Sequence, residues 1–320
     1  MNFRQLIKVA NKSNQIFYNS SIPLNFTGSK SVLMKLYSIN AGYFKLDGGA
    51  MFGVVPKSMW NKVNPADDNN MCTWAMRCLL IDTGDRRILI DNGMGNKQDE
   101  KFFSHFYPHG EDSIETSLAK YNYTTDDITD VFLTHLHFDH CGGTIKREGD
   151  KLVPVFKNAQ FYTNKAHWDA ALAPNEREKA SFLKENILPI METGRLRFID
   201  VPDGGNWIKY FNINYVFGHT EAMMLPQIKY KNTTLLYCAD LVPSAPHVSM
   251  PWVMAYDMRP LDTLKEKHRL LNLAADNNWI LYFEHDPVNE CCTLQRTEKG
   301  IRIKEIFKLS EVDTIKNTTI

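Results

Sequence analysis

The sequence carries no net charge: 37 Lys and Arg residues balance 37 Asp and Glu in a chain of 320. Without a surplus positive field to gather polyanions or anionic lipid, neither nucleic acid nor a membrane surface is an expected partner. Cysteine is scarce. Cys72, Cys78, Cys141, Cys238, Cys291 and Cys292 form no CxxC pair and no regular framework, which argues against a disulfide-stapled domain and a zinc knuckle, and for a reducing, cytoplasmic setting. No apolar run is long enough for a signal-peptide core or a membrane span, including within residues 1–31, where Arg4, Lys8, Lys12 and Lys30 lie among scattered polar residues. Repeats, low-complexity tracts, a phosphate-cradling glycine loop and a GxSxG nucleophile elbow are also missing.

What is present is an ordinary globular composition, 43% hydrophobic and 23% charged, sufficient for a large core. Met76–Thr83 and Arg87–Asp91, separated by Gly84-Asp85-Arg86, predict a two-stranded hairpin, with Lys35–Ile39 as an earlier strand. Helices are expected near Asp99–Phe106 and Ser113–Tyr121, and a helix cap at Thr125-Asp126-Asp127. A short buried strand is expected at Val131–Thr134, a strand at Gln160–Thr163, and helical stretches between Lys165 and Ile190. Further strands are expected at Arg197–Val201, Ile208–Phe217, Met223–Lys229, Thr234–Cys238 and Trp279–Phe283, with a helix at Leu261–Ala275. Two groups of strands, each followed by helices and with no linker between them, suit a single layered α/β domain over residues 34–320. Residues 1–33 read as an N-terminal arm or extension, in which Phe17 and Tyr18 offer apolar surface to a second subunit should the protein form a homodimer.

The most informative segment follows the strand at 131–134. His135-Leu136-His137-Phe138-Asp139-His140 places four potential metal ligands within six residues, followed by Cys141-Gly142-Gly143. Residues two apart in an extended segment point to the same side, so His135 and His137 can converge on one cation, with Asp139 and His140 facing a second. The paired glycines are expected to let the backbone turn sharply. His219, Asp240 and His285 each sit at the end of an expected strand, where loops carry polar side chains that a packed strand interior could not bury unpaired. Taken singly, His219 and His285 are as readily incidental histidines as ligands, and Asp240 could be a turn residue. Their shared placement favours a site. Cys141 reads as a small packed residue, and Asp91 as either a partner holding a ligand histidine or a turn residue beside Asn92-Gly93.

The order HxHxDH, Gly-His-Thr, Asp after a strand and a late His, spanning about Lys35 to Pro287, resembles the dinuclear metallo-β-lactamase superfamily. The resemblance implies a four-layer αββα sandwich, with His135, His137 and His219 on one metal, Asp139, His140 and His285 on the other, and Asp240 bridging both. Such a pair lowers the pKa of water from about 15.7 towards about 7 and would supply a bridging hydroxide as nucleophile, with Asp139 orienting it and passing its proton to the leaving group. Five imidazoles and two carboxylates without thiolate favour zinc, with iron, manganese or cobalt fitting nearly as well.

Within the superfamily, His137 stands where flavin-linked diiron reductases carry Glu, and Asp240 stands where some β-lactamases carry Cys. The chain most resembles the lactonase and organophosphate-hydrolase branch, some of whose members act in quorum quenching. Leu46–Pro56 and Asp240–Asp257 could wall an apolar pocket for an acyl or aryl group, with Met51, Phe52, His247 and Trp252 as candidate lining; the alternative is that these are simply core. Acyl-homoserine lactonases commonly carry a tyrosine soon after the bridging aspartate, whereas Leu241-Val242-Pro243-Ser244 stands here, so another donor is needed. The expected substrate is a small lactone or related ester. A phosphotriester or β-lactam is the alternative; from other classes, a diiron redox protein or a non-catalytic binding module remains.

Overall fold

The computed structural model describes residues 34–315, and the N-terminal segment 1–33 lies outside the described residues. Fifteen strands and nine short to medium α-helices alternate along them. The strands are β1 Lys35–Asp47, β2 Met71–Asp82, β3 Arg87–Ile90, β4 Asp130–Phe132, β5 Ile145–Glu148, β6 Lys151–Pro154, β7 Gln160–Thr163, β8 Leu196–Phe198, β9 Gly205–Ile208, β10 Phe211–Val216, β11 Met223–Tyr230, β12 Thr233–Tyr237, β13 Ile280–Tyr282, β14 Cys291–Thr297 and β15 Gly300–Phe307. The helices are α1 Gly48–Phe52, α2 Lys57–Trp60, α3 Glu100–Phe106, α4 Ile114–Ala119, α5 Phe138–Cys141, α6 Lys165–Leu172, α7 Lys184–Glu192, α8 Pro260–Asp276 and α9 Val312–Ile315.

The strands form two large sheets, ordered β1-β2-β3-β4-β7-β8 and β15-β14-β13-β12-β11-β10-β9, with β5-β6 as a separate hairpin. Period-two alternation sorts the first sheet's side chains into two layers. Leu79, Ile81, Ile88, Ile90 and Phe132 face the second sheet and pack with Ile213, Val216, Leu225 and Leu235. Cys78, Leu80, Leu89 and Val131 face the other way, against Leu118 of α4, Trp168 of α6 and Ile187 of α7. Leu270, Leu271 and Ala274 of α8 complete the core on the second sheet. Helix, sheet, sheet, helix is the αββα sandwich that the sequence suggests.

Several expected elements are shorter or divided. The helical stretches expected between 165 and 190 are α6 and α7, parted at 173–183 where Pro174 and the polar run after it break the pattern. The strand expected at 208–217 is a hairpin, β9 and β10, turning at Tyr210 with φ +71°. The cap near 125 is Thr124, whose hydroxyl and N–H both bond Asp127. The hairpin β14-β15 and the small hairpin β5-β6 carry no expectation above. Both have two-residue turns with a glycine in or beside them, Gly149-Asp150 and Glu298-Lys299 before Gly300, the signal that would have found them.

Two tyrosines fasten sheet to sheet. The Tyr282 hydroxyl lies 2.9 Å from both the Cys78 carbonyl and Ser38 Oγ, and the Tyr237 hydroxyl donates to the Arg77 carbonyl at 3.2 Å, all within the interior. Replacing Tyr282 with Phe leaves a buried carbonyl without its partner and is expected to cost about 1–3 kcal/mol, read as a lowered denaturant midpoint at constant m-value. An unchanged midpoint would contradict this fastening.

Candidate metal centre

Strand direction gathers the site. β10 and β12 are each antiparallel to β11, and β13 runs parallel to β12, so β10, β12 and β13 all point the same way. The residues just beyond their C-terminal ends, His219, Asp240 and His285, therefore emerge along one edge of the second sheet. Opposite them, the loop after β4 and the first turn of α5 carry His135, His137, Asp139 and His140. The structure brings all seven residues together and buries every one of them.

His137 Nδ1 lies 3.1 Å from His135 Nε2 and 3.2 Å from His219 Nε2, and Asp240 Oδ2 lies 3.1 Å from His219 Nε2. In the neighbouring group, His285 Nε2 is 3.1 Å from His140 Nε2 and 3.7 Å from Asp139 Oδ2, while Asp240 Oδ1 is 3.0 Å from His285 Nε2 and 3.5 Å from His140 Nε2. Asp240 thus presents one oxygen to each group. The ligand atoms of His135, His137, His219 and Asp240 form one set able to hold a cation, and those of Asp139, His140 and His285 a second.

The outer nitrogens explain which inner ones face the centre. His219 Nδ1–H donates to Asp257 Oδ1 at 2.9 Å, His285 Nδ1–H to the Ala75 carbonyl at 2.8 Å, and His140 Nδ1–H to Asp91 Oδ2 at 3.1 Å. His135 Nδ1–H donates to Thr134 Oγ1 at 3.1 Å, and that hydroxyl donates onward to Asp91 at 2.6 Å. Holding the proton on the outer nitrogen leaves each inner Nε2 with its lone pair directed inward. Facing lone pairs 3.1 Å apart make no hydrogen bond with each other. They fit a common cation, since bonds of about 2.0–2.1 Å in a tetrahedron place neighbouring nitrogens about 3.3 Å apart.

Charge supports the same assignment. Burial pulls His219 and His285 down, but Asp240 outweighs it and holds them up at about 10 and about 9. Burial likewise opposes His140, which Glu284 and Asp240 nonetheless hold well above its usual value, whereas burial pushes His135 and His137 down. Burial alone would raise Asp240, yet His285, His140 and His219 hold it well below the carboxylate range. In the cation-free protein Asp240 therefore favours protons on His219 and His285, on the side where a cation would stand.

Asp91 takes both roles that the sequence left open. It sits at the end of β3 with φ +55°, accepts from the Thr134 N–H and hydroxyl, and receives the His140 N–H. Cys141 is a packed thiol that burial pushes up to about 12. The glycines after it serve a different purpose from turning: Gly142 has an ordinary φ of −61°, and it is close approach that demands glycine. A Cβ on Gly142 would stand 2.1 Å from the Met94 carbonyl oxygen, and one on Gly143 2.1 Å from that of Asn92.

Several supporting residues were not legible from the motifs. Fully buried His167 accepts the Leu136 N–H at 2.8 Å and donates from Nδ1 to the Glu221 carbonyl at 2.6 Å, and burial brings it down to about 4, so it stays neutral. Glu284 lies 3.1 Å from His140 Nδ1, and burial with Asp91 pushes it up to about 8. Glu178 lies 3.8 Å from His137 Nε2; burial raises it, but His137 and Thr220 outweigh that and hold it at about 2. His167 and Glu178 lie in segments without ligand spacing, whereas Glu284 stands beside His285 and Asp257 fell inside the stretch 240–257.

A cavity of about 300 Å³ opens over His137, Asp139, His219, Asp240 and His285. Leu46, Met51, Phe106, Phe138 and Met254 form its apolar walls, with Tyr256 and Arg177 as polar members. Of the candidate lining residues, only Met51 is on the wall. Phe52 and His247 are buried behind it, stacked at 4.9 Å and 8° with Trp252 edge-on to Phe52, and His247 is spent on Ser244 Oγ and the Met51 carbonyl. The aromatic run closes a core rather than a binding surface, the alternative weighed for these residues.

A family model of the metallo-β-lactamase superfamily matches residues 77–285. The chain belongs to this superfamily of metal-dependent hydrolases. An N-acyl homoserine lactonase of Bacillus cereus is 29% identical over 165 residues, and one of Bacillus thuringiensis 30%, each covering 48% of this chain. The chain spans about half the length of these curated relatives, 56%. Among solved structures, a probable metal-dependent hydrolase from Staphylococcus aureus is 29% identical with a TM-score of 0.77, covering 86% of this chain and 96% of its own. AidC, a dizinc quorum-quenching lactonase, shares the fold at a TM-score of 0.70 and 23% identity over 86% of this chain and 95% of its own. No helix among the described residues is long and apolar enough to cross a membrane.

Two outcomes are expected. Loading the metal-free protein with zinc near pH 7 should release protons from His219 and His285, and because protons compete for the same nitrogens, apparent affinity should fall on acidification, about tenfold per pH unit for each proton displaced. A pH-stat and zinc titrations at two pH values check this, and pH-independent binding without proton release contradicts it. Gly142→Ala should force the α5 loop off the 92–94 segment, lowering the unfolding temperature and the bound metal together; retention of both would show that the contact yields.

Proposed function

We propose that this protein is a dinuclear metal-dependent hydrolase that opens a lactone or cleaves a related ester, with zinc as the native metal. The observation that carries the reading is Asp240, whose two oxygens face two separate ligand sets on the floor of one cavity. Once bound, the metal pair supplies a water acidic enough to be nucleophilic at neutral pH and a Lewis acid for the substrate oxygen. His135, His137 and His219 would hold one ion, and Asp139, His140 and His285 the other.

Asp139 lines the cavity beside His140 and His285 and would orient the attacking water and then carry its proton to the leaving oxygen. Leu241 and Ser244 are buried and stand off the cavity wall, so Tyr256, with Ser181 as the other hydroxyl on the wall, is available to the substrate carbonyl. Burial keeps that phenol protonated, well above its usual pKa. Met51, Phe138 and Met254 exclude water around the rest of the substrate and suit an acyl chain, in keeping with the two Bacillus lactonase relatives.

The test is turnover by the zinc-loaded protein on N-acyl homoserine lactones, simple lactones, aryl esters, phosphotriesters and β-lactams. Lactones or esters should lead, and Asp139→Asn should lower kcat by about 10²–10⁴-fold. A phosphotriester or β-lactam outrunning every lactone and ester, or full turnover by Asp139→Asn with both metals in place, would overturn the reading.

A further inference from the structure

Four of the five clustered histidines have their outer nitrogen satisfied at 2.8–3.1 Å. His137 differs. It faces the cluster through Nδ1, and its Nε2 is buried without a hydrogen-bond partner among the described residues. The polar atom in front of that nitrogen is Glu178 Oε1, at 3.8 Å.

Glu178 is 8% exposed and held from several sides. The Thr220 hydroxyl donates to its Oε1 at 2.6 Å, and the Asn175 amide donates to its Oε2. Its segment, residues 173–183 between α6 and α7, walls the cavity with Arg177, Ala180 and Ser181. That wall is joined to the ligand loop where the Phe138 N–H donates to the Ser181 carbonyl at 2.9 Å, and to the far side of the cavity where Arg177 donates to the Ala255 carbonyl. Phe182 lies against the His137 ring, with centroids 4.8 Å apart.

We propose that Glu178 is a positioning residue that receives the His137 Nε2–H, so that the 173–183 wall of the cavity and the first cation position move as one unit. An approach of about 1 Å brings the pair to hydrogen-bond length. The wall needs no large motion to make it, because Thr220 already anchors the same carboxylate oxygen beside His219. A closed Glu178–His137 bond fixes the imidazole plane and raises the basicity of Nδ1, the atom directed at the cation. Material filling the cavity and leaning on 177–181 would thereby alter the ligand field of one ion and not the other. The inference rests on the metal reading above but concerns His137 alone.

The experiment is cobalt(II) titration of the full-length metal-free chain, comparing the parent, Glu178→Gln and Glu178→Ala, with His135→Ala marking which visible bands belong to the first position. Glu178→Ala should weaken the first ion by about 10–100-fold and shift its bands, leaving the second ion unchanged. Glu178→Gln, which keeps a carbonyl acceptor, should recover much of the loss. Parental affinities and spectra in Glu178→Ala overturn the inference. So does equal weakening of both ions with a lower unfolding temperature of the metal-free chain, the sign of a residue that merely supports the wall. A parent chain that takes up no cobalt overturns the metal reading itself, a different and separable failure.

Discussion

Five imidazole nitrogens and two carboxylates converge in a buried space with their inner atoms about 3 Å apart, and the rest of the site is arranged to tolerate that convergence. Left bare, such a set would be repulsive between nitrogens and costly in desolvation for Asp240. Protons or cations must occupy the middle. The outer hydrogen bonds to Asp91, Asp257, Thr134 and Ala75 fix one proton of each of these rings on the outside and turn its other nitrogen to the middle, where a second proton or a cation offsets Asp240.

The sandwich makes this convergence possible without loops of unusual length. Three strands of one sheet run in the same direction and release one candidate ligand each at their ends, while one loop of the other sheet supplies the remaining four candidates. Backbone bonds from β2 to the carbonyls of Glu284 and His285 hold the last ligand across the gap between sheets. The core between Leu79, Ile81, Phe132 and Leu235 then fixes the distance at which the two halves meet.

Much of this was legible in the residues. The loop at 135–140 announces itself because four potential ligands in six positions rarely have another use, and the strand ends at 219, 240 and 285 follow from short β-branched and aromatic runs. What the sequence hid are the partners set by folding alone. Glu178 and His167 come from segments with helical or polar character and no ligand spacing; the packing of 173–183 onto the 135–140 loop gives Glu178 its task, and that of α6 against Leu136 and Glu221 gives His167 its own. The aromatic stretches left two readings open for a related reason: Phe52, Trp252 and His247 have the composition of a pocket wall as much as of a core, and here they stack against one another. The two glycines were expected to allow a sharp turn, whereas the space they leave is clearance from 92–94.

The claim that underlies all others is that this cluster holds a pair of cations. Elemental analysis of the purified, buffer-exchanged protein tests it most directly. The account predicts close to two equivalents of divalent metal per folded chain, with zinc foremost. A folded chain that contains none, and still takes up none after incubation with excess zinc, would contradict it.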